Sequence, residues 1–240
     1  MHRYKAVFFD AGMTLIQPNP NGHALVRGVL ERYGLTVPAQ GVQHAEAAAQ
    51  EYFWREQRED SEIWASDASI KKFWRGYYRI VLNELGLKKR VDDAAMDIYN
   101  AYNIHENWTV FPDVIETLDA CRHRGLKLGV ISDWGGNLVS HVLGPLGLTV
   151  YFDFMLVSAT VRAAKPSLQL FRWALDRAGV APREAIHVGD NYLGDVLGAR
   201  GAGITPVLID RRDILGPVDC IKIKDLRQIL ELLDGKSGTI

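Results

Sequence analysis

Short apolar segments recur along the 240-residue chain, and they constrain its fold more than any other feature of the sequence. Continuous apolar runs of this length are typical of strands that are buried on both faces of a parallel sheet. Amphipathic segments with helical periodicity lie between them, and most of these end at a glycine. The alternation predicts an α/β fold with a doubly wound parallel sheet. The predicted strands are residues 4–9, 126–131, 185–188 and 205–209, and the predicted helices are residues 114–124, 137–146, 168–178 and 192–202.

One long segment, residues 18–108, interrupts this alternation. It contains several stretches of helical periodicity and no clear strand, so we predict an all-helical insert. Because it follows the first strand, it lies at the carboxyl edge of the sheet, where ligands bind in this architecture. We therefore expect a core domain of residues 1–17 and 109–240, and a smaller helical cap domain that covers the site, with hinges at Pro18 and residues 108–112. The predicted helices of the insert are residues 23–33, 42–59, 70–85 and 91–102.

The charge balance excludes several classes of protein. The chain has 28 Lys and Arg against 29 Asp and Glu, a net charge of -1, which leaves no general field to attract nucleic acid. Its apolar stretches are interrupted well before the roughly 20 residues that cross a bilayer. The first ten residues lack a signal-peptide pattern. We therefore expect a cytoplasmic protein, a monomer or homodimer, that binds neither nucleic acid nor a membrane.

Polar residues with catalytic chemistry follow the predicted strands. Asp10 ends the first strand beside a glycine-containing turn, where a carboxylate suits a nucleophile or a metal ligand. Ser132 ends the second strand before a helix, whose free N–H groups can bind an anion together with the hydroxyl. Lys165 supplies a fixed positive charge before a further helix. Asp190 and Asp195 follow the third predicted strand and can hold a hard cation.

In their order along the chain, these residues resemble the four-motif signature of the haloacid dehalogenase-like (HAD) superfamily. The resemblance covers residues 4–15 and about 112–232, and the helical insert is similar to the smaller cap that family members carry after the first motif. It implies a Rossmann-like core and a hydrolase. In that hydrolase Asp10 is the nucleophile, and Ser132 and Lys165 bind the transferred phosphoryl group.

The resemblance also implies a magnesium site. Its ligands are the carboxylates of Asp10 and Asp190 and the carbonyl of Gly12, with Asp195 as a further ligand or as a residue that orients the others. Two carboxylates and a dianionic phosphate cannot share a pocket unless a cation offsets their charge, and Mg²⁺ commonly does so. We therefore predict a Mg²⁺-dependent phosphatase of a small phosphorylated metabolite. An aspartyl-phosphate would form at Asp10 and then be hydrolysed.

Gly12 departs from the family pattern. Phosphatases of this family normally carry a second Asp at this position, which protonates the leaving group and later activates water. Glycine transfers no proton, and general acid–base help is worth roughly 10² to 10⁴ in rate. We therefore expect slow hydrolysis of alkyl esters and a smaller effect on acyl or aryl phosphates. His23 and Asp133 are the candidate replacements, and Trp134 is the best placed to contact the substrate.

Two other functions are alternatives. Family members that cleave carbon–halogen bonds also lack the second Asp, and in a 2-haloacid dehalogenase Asp10 would attack carbon. Such enzymes need no magnesium, and they resemble this chain less around Gly189 and Asp190. In the other alternative, the fold has kept its phosphate and metal pocket as a non-catalytic binding module, because Gly12 has removed the proton donor.

Two further features have competing interpretations. The insert is rich in aromatic residues between Tyr52 and Tyr78, which indicates either a stacking wall for an aromatic substrate or, as we favour, the core of a small helical cap. His187 lies inside a predicted strand. We interpret it as a packed core histidine rather than a ligand.

Overall fold

A six-stranded parallel sheet forms the centre of the protein, whose computed structural model describes residues 4–59 and 62–235. Its strands are β1 (Ala6–Phe9), β4 (Lys127–Ser132), β5 (Phe154–Val157), β6 (Ala185–Gly189), β7 (Thr205–Ile209) and β8 (Ile221–Ile223). The spatial order is β5-β4-β1-β6-β7-β8, so the chain runs outward in one direction from β1 to β5 and in the other from β6 to β8. The point where the strand order reverses lies at β1, and ligands of such sheets bind there.

Strand β1 is buried along its whole length because both of its neighbours are parallel strands. Phe9 pairs with Val130 on one side and with Val188 on the other. This register brings the carboxyl ends of β4, β1 and β6 side by side. The N–H group of Asp10 donates to the carbonyl of Val188 at 2.9 Å, so the first residue after β1 is tied to the end of β6.

The predicted α/β fold class is confirmed, and the predicted strands are β1, β4, β6 and β7. Two strands of the sheet were not predicted. Strand β5 is a run of four apolar residues that pairs with β4, and β8 is a three-residue edge strand interrupted by Lys222. Runs this short carry too little periodicity to be separated from loops in the sequence.

Two apolar cores lie on the two faces of the sheet. Val7 and Phe9 of β1 face one core, which includes Val114 and Leu118 of α5 (Val114–His123) and Ile229 of α9 (Gln228–Leu233). The alternate residues of β1 face the second core, against α7 (Leu168–Ala178).

The predicted core helix 137–146 is shorter than expected, because the structure has a single π-helical segment, Leu138–Leu143, in its place. The predicted helix 192–202 is present as a π-helical segment, Tyr192–Leu197, that continues directly into α8 (Gly198–Gly201). Glycine destabilises the interior of a helix. Gly144 ends the first segment by donating its N–H to Val139. Gly198 is needed where it is, because a methyl group there would lie 2.4 Å from the ring of Phe171.

The described part of residues 19–107 contains helices and no strand, as predicted. Its four α-helices share an apolar core of their own, which includes Val26, Val42, Leu82 and Ile98. The helices are α1 (Gly22–Glu31), α2 (Ala39–Glu59), α3 (Asp67–Glu84), α4 (Val91–Ala101), and 3₁₀ turns lie at Ile63–Ala65 and His105–Asn107.

Most aromatic side chains of the insert pack on one another. Phe73 is 2% exposed and contacts Phe53 and Trp64 with ring centroids 5.5 and 5.0 Å apart. Trp54 also contacts Phe53, with ring centroids 5.2 Å apart, but it is 39% exposed. These contacts favour the interpretation that the aromatic residues form the interior of the insert.

The two chain segments that enter and leave the insert pair with each other. Strand β2 (Ile16–Pro18) runs antiparallel to β3 (Trp108–Val110), and Pro18 lies opposite Trp108. The predicted hinges are therefore the two halves of one short ribbon. Among the described residues, no helix is both long enough and apolar enough to cross a membrane.

Arg211 fastens this ribbon to the core. Its guanidinium binds both carboxylate oxygens of Asp113 at 3.0 and 2.9 Å, donates to the carbonyl of Thr14 and lies over the ring of Phe111. The same carboxylate accepts the N–H of Leu226. One buried ion pair thus joins the turn after β1, the exit from β3 and the loops after β7 and β8.

We predict that Asp113→Ala lowers the free energy of unfolding by about 3–5 kcal/mol, because it leaves a nearly buried guanidinium unpaired. Chemical denaturation measures this change. The matched control is Lys224→Ala, which breaks an ion pair whose side chains are 59% and 54% exposed, and should cost less than about 1 kcal/mol. Equal effects in the two variants would show that the Asp113 pair contributes no more than a surface contact.

Candidate active site

A buried lysine joins two of the predicted site carboxylates. The Nζ atom of Lys165 lies 2.7 Å from Oδ1 of Asp10 and 2.8 Å from Oδ1 of Asp195. The three side chains are 5%, 9% and 1% exposed, respectively. Residues that are far apart in the sequence therefore meet at the predicted edge of the sheet: Asp10 directly after β1, Lys165 before α7 and Asp195 in the helical segment after β6.

The loop after β4 positions the lysine. Asp133 accepts the backbone N–H of Lys165 at 3.0 Å, so the segment before α7 is held against the residue that follows Ser132. Ser158, buried at the start of α6 (Ser158–Val161), accepts the N–H of Trp134 at 3.1 Å and donates to its carbonyl at 3.3 Å. Ser132 itself is 1% exposed at the end of β4. The β4 corner is thus fixed from two neighbouring elements.

Asp195 has hydrogen-bond partners on both carboxylate oxygens. Oδ1 binds Lys165 and also Nε2 of His187 at 2.8 Å, and Oδ2 accepts the N–H of Asn191 at 3.0 Å. The carboxylate lies directly against Gly189, where a methyl group would be 2.1 Å from Cγ of Asp195. Asp195 is therefore already engaged by the protein, which suits a residue that orients its neighbours.

Burial and mutual repulsion raise the pKa values of several acids here. Burial raises the pKa of Asp10, although the ammonium of Lys165 opposes this effect. Burial, followed by the charges of Asp10 and Asp195, raises the pKa of Asp190 to about 8. Burial acts in the same direction on Asp195, but Lys165 and His187 outweigh it, and the pKa of Asp195 is lowered.

Burial and the neighbouring carboxylates shift the pKa of Lys165 in opposite directions. Burial lowers its pKa, but the carboxylates of Asp10 and Asp195 more than compensate, and the net shift is well above the usual range. Lys165 is therefore a permanent cation. Within the described residues it is the one ammonium among the carboxyl groups of Asp10, Asp190 and Asp195, so ionisation of all three would leave an excess of negative charge that a further cation would offset.

The available donors fit a hard divalent cation. In residues 4–59 and 62–235 no three His, Cys, Asp or Glu side chains are grouped in a way that could hold a metal ion. Magnesium does not need such a group, since it commonly binds one or two carboxylates and completes its shell with water and phosphate oxygens. Asp10, Asp190 and the carbonyl of Gly12 supply oxygen donors of this kind.

Trp134 occupies the space above Gly12. A methyl group at position 12 would lie 3.1 Å from Cζ3 of Trp134, which is closer than ordinary van der Waals contact. The indole packs edge-on against Trp108 of β3, with ring centroids 5.0 Å apart. The indole thus crowds the position that the Cβ atom of an Asp at residue 12 would take, and it links the turn after β1 to the β2–β3 ribbon.

His23, the other predicted proton donor, lies in the first turn of α1. Its Nε2 is 2.9 Å from Oε2 of Glu46 in α2. The hydrogen bonds and ion pairs of the described residues connect His23 with Glu46 and with no member of the site around Lys165. Asp133 is joined to that site through Lys165, which makes it the better supported candidate.

The sequence did not indicate how the insert contacts the core. Oδ1 of Asp67, at the start of α3, accepts the N–H of Gly136 at 2.8 Å. Nδ2 of Asn137 donates to Oδ1 of Asn103 at 3.1 Å. Both contacts lie on the loop that carries Ser132 and Asp133, so the insert is docked on the predicted phosphate-binding corner.

Three further contacts of the site were not predicted. Ser158 follows β5, a strand that was not predicted, so nothing marked it as a site residue. Asn191 and His187 flank the Gly189 corner. His187 is a packed core residue, as predicted, since it is fully buried with its ring against Phe171, but its bond to Asp195 was not predicted. The signal available in the sequence was the spacing of His187, Asn191 and Asp195 around one strand-to-helix turn.

Comparison with known proteins identifies the family. Residues 7–209 match the haloacid dehalogenase-like hydrolases. The chain belongs to this family. A zebrafish (Danio rerio) protein named haloacid dehalogenase-like hydrolase domain-containing protein 3 is 35% identical over 67% of this chain. The match spans 63% of the zebrafish protein, less than two thirds of its length. A protein named phosphoserine phosphatase from Thermus thermophilus is 31% identical over 94% of this chain and 97% of its own length.

Solved structures share the fold of this HAD family member. YfnB of Bacillus subtilis, a HAD hydrolase bound to magnesium, has a TM-score of 0.80 at 17% identity and covers 97% of this chain and 99% of its own. A HAD phosphatase from Thermococcus onnurineus has a TM-score of 0.63 at 28% identity, over 96% and 98% of the two chains. A 2-haloacid dehalogenase from Pseudomonas syringae has a TM-score of 0.62 at 24% identity, over 98% and 100%. Phosphatases and dehalogenases thus share this architecture.

Proposed function

We propose that this HAD hydrolase is a Mg²⁺-dependent phosphatase of a small phosphorylated metabolite and that Asp10 is its nucleophile. The observation that carries the proposal is the Lys165 ammonium, 2.7 Å from Asp10, among carboxylates that outnumber it. Such a site suits an anionic substrate that enters with a divalent cation. The full-length similarity to a protein named phosphoserine phosphatase supports phosphoryl chemistry.

In the proposed reaction, a carboxylate oxygen of Asp10 attacks phosphorus as the bond to the leaving oxygen breaks. Water then attacks the aspartyl-phosphate, which releases phosphate and restores the carboxylate. Lys165 and the hydroxyl of Ser132 bind the phosphoryl oxygens as their charge shifts, and removal of one such donor typically costs about 10² to 10³ in rate. Asp10, Asp190 and Gly12 would hold the magnesium ion, which supplies charge neutralisation and Lewis acidity.

The proposed substrate class follows from Gly12. Without a carboxyl at this position, the leaving group lacks the family's usual proton donor, and a substitute has to lie outside the turn after β1. Acyl and aryl phosphates tolerate this because their leaving groups are weak bases, whereas alkyl phosphates do not. The helical segment 18–108, which we propose as the cap domain, would then select among such substrates, since it contacts the core at the phosphate-binding corner.

The dehalogenase alternative is less well supported. An enzyme that attacks carbon needs no cation, yet Asp190 adds a carboxyl group close enough to Asp10 for the charge of Asp10 to raise the pKa of Asp190. The non-catalytic alternative would be excluded by the release of phosphate from any substrate. Both are outcomes of the experiment below.

We expect the protein to release phosphate from acetyl phosphate fastest, from an aryl phosphate more slowly and from an alkyl phosphate slowest, and only with Mg²⁺. Phosphate release with Mg²⁺ and with EDTA, for the wild type and Asp10→Asn, measures this. Asp10→Asn should abolish turnover with every substrate. Halide release from a 2-haloacid in EDTA would instead support the dehalogenase, and phosphate binding without turnover the binding module.

We also predict that Asp133 contributes the missing proton. Burial raises its pKa to about 7, against the opposing charge of Lys165, so its protonated form is lost as the pH rises through about 7. Asp133→Asn keeps an oxygen to accept the Lys165 N–H but removes the proton. It should lower alkyl phosphate turnover by about 10² to 10⁴ and remove the alkaline decline of the pH–rate profile. Asp133→Ala serves as the comparison that also loses the anchor, and an unchanged rate in Asp133→Asn would exclude this role.

The effect of a carboxylate introduced at position 12 should depend on Trp134. We predict that Gly12→Asp raises alkyl phosphate hydrolysis more in a Trp134→Phe background than in the wild type, because the indole lies 3.1 Å from where the new Cβ would be. The smaller ring can still pack on Trp108. A double-mutant cycle of kcat measures the coupling, and the same gain in both backgrounds would contradict the steric account.

A further inference from the structure

His187 lies on the face of the sheet away from the first apolar core. Its neighbours in β6, Ile186 and Val188, face the core that contains Val7 and Phe9. His187 pairs with Phe8 in register, and its ring packs edge-on against Phe171 of α7, with centroids 5.1 Å apart at an angle of 86°. The side chain is fully buried, so each polar atom of the ring needs an explanation.

The two ring nitrogens have different surroundings. Nε2 lies 2.8 Å from Oδ1 of Asp195, whereas Nδ1 is buried and has no hydrogen-bond partner among the described residues. A buried donor without an acceptor costs about 1–3 kcal/mol, and orphaned N–H groups are rarer than orphaned acceptors. The proton therefore resides on Nε2, and His187 donates it to Asp195.

That donated bond acts on the site through Asp195. The same oxygen, Oδ1, receives both the imidazole of His187 and the ammonium of Lys165. The other oxygen is held by Asn191, and Gly189 leaves room for the carboxylate to lie against the backbone. The carboxylate is thus fixed in position and orientation before it meets the lysine.

We propose that His187 is a positioning residue of the active site, which fixes Asp195 and thereby aligns the Lys165 ammonium with Asp10. Four side chains form a continuous series of hydrogen bonds at 2.8, 2.8 and 2.7 Å, from His187 through Asp195 and Lys165 to Asp10. This inference rests on the proposed role of Asp10 as nucleophile.

Loss of the imidazole donor leaves Oδ1 of Asp195 with Lys165 alone. The carboxylate can then rotate, and the ammonium follows it away from the position that serves the phosphoryl oxygens. Partners that orient a charged active-site group in this way typically affect activity 10–100-fold. The effect should fall on kcat more than on KM, because charge on the phosphoryl oxygens is redistributed in the transition state.

The test compares two substitutions of the same residue. His187→Leu removes the donor and keeps an apolar side chain against Phe171, whereas His187→Gln can present an N–H at a similar reach. We expect His187→Leu to lower kcat for acetyl phosphate by about 10–100-fold and His187→Gln to restore it to within about threefold of the wild type. Leu175→Ala, which removes a buried side chain from α7, is the control for lost packing, and it should lower the melting temperature with kcat retained.

A spectroscopic measurement decides the inference without turnover. Long-range ¹H–¹⁵N correlation of the wild-type histidines should show a proton on Nε2 of His187 and none on Nδ1. A proton on Nδ1, equal kcat values in His187→Leu and the wild type, or a His187→Gln variant as slow as His187→Leu would each overturn the proposal. If the wild type releases no phosphate from any substrate, the proposed function fails, while the tautomer still reports on the His187 bond.

Discussion

A single buried ammonium between two carboxylates is the interaction on which this structure depends. Lys165 cannot reach Asp10 and Asp195 together unless β1, β6 and the segment before α7 end at the same place. Parallel pairing of β1 with both β4 and β6 supplies that arrangement, and the bond from Asp133 to the backbone of Lys165 completes it. The topology therefore brings the charged side chains of Lys165, Asp10 and Asp195 together, and the surrounding apolar cores shield them from water.

The surroundings of Asp10 explain how such a site can tolerate Gly12. Trp134 lies 3.1 Å from where a Cβ atom at residue 12 would be, and burial raises the pKa of Asp133, one residue earlier than Trp134, to about 7. In the proposed reaction the proton donor has moved from the nucleophile turn to the β4 corner. The same corner holds the insert through Gly136 and Asn137, so substrate selection and proton transfer would be coupled through one loop.

The sequence predicted the parts of the site that follow directly from strand ends. Asp10, Ser132 and Asp190 end apolar runs long enough to be recognised, and Lys165 lies shortly before a clear amphipathic helix, α7. Their convergence follows from parallel topology alone. The contacts of His187, Ser158 and Asp67 could not be predicted in this way, because each depends on which face of a strand or which turn of the insert meets a partner far away in the chain. Strand β5 shows the same limit, since four apolar residues carry no usable period.

The central claim is that the acids around Asp10 exceed the charge of Lys165, so that an anion binds only together with a divalent cation. Calorimetric titration of inorganic phosphate, in the presence of Mg²⁺ and of EDTA, tests this most directly. The account predicts binding at least about tenfold tighter with Mg²⁺, a difference of about 1.4 kcal/mol, and loss of that difference in Asp190→Asn. Equal affinity for phosphate with and without the cation would contradict it.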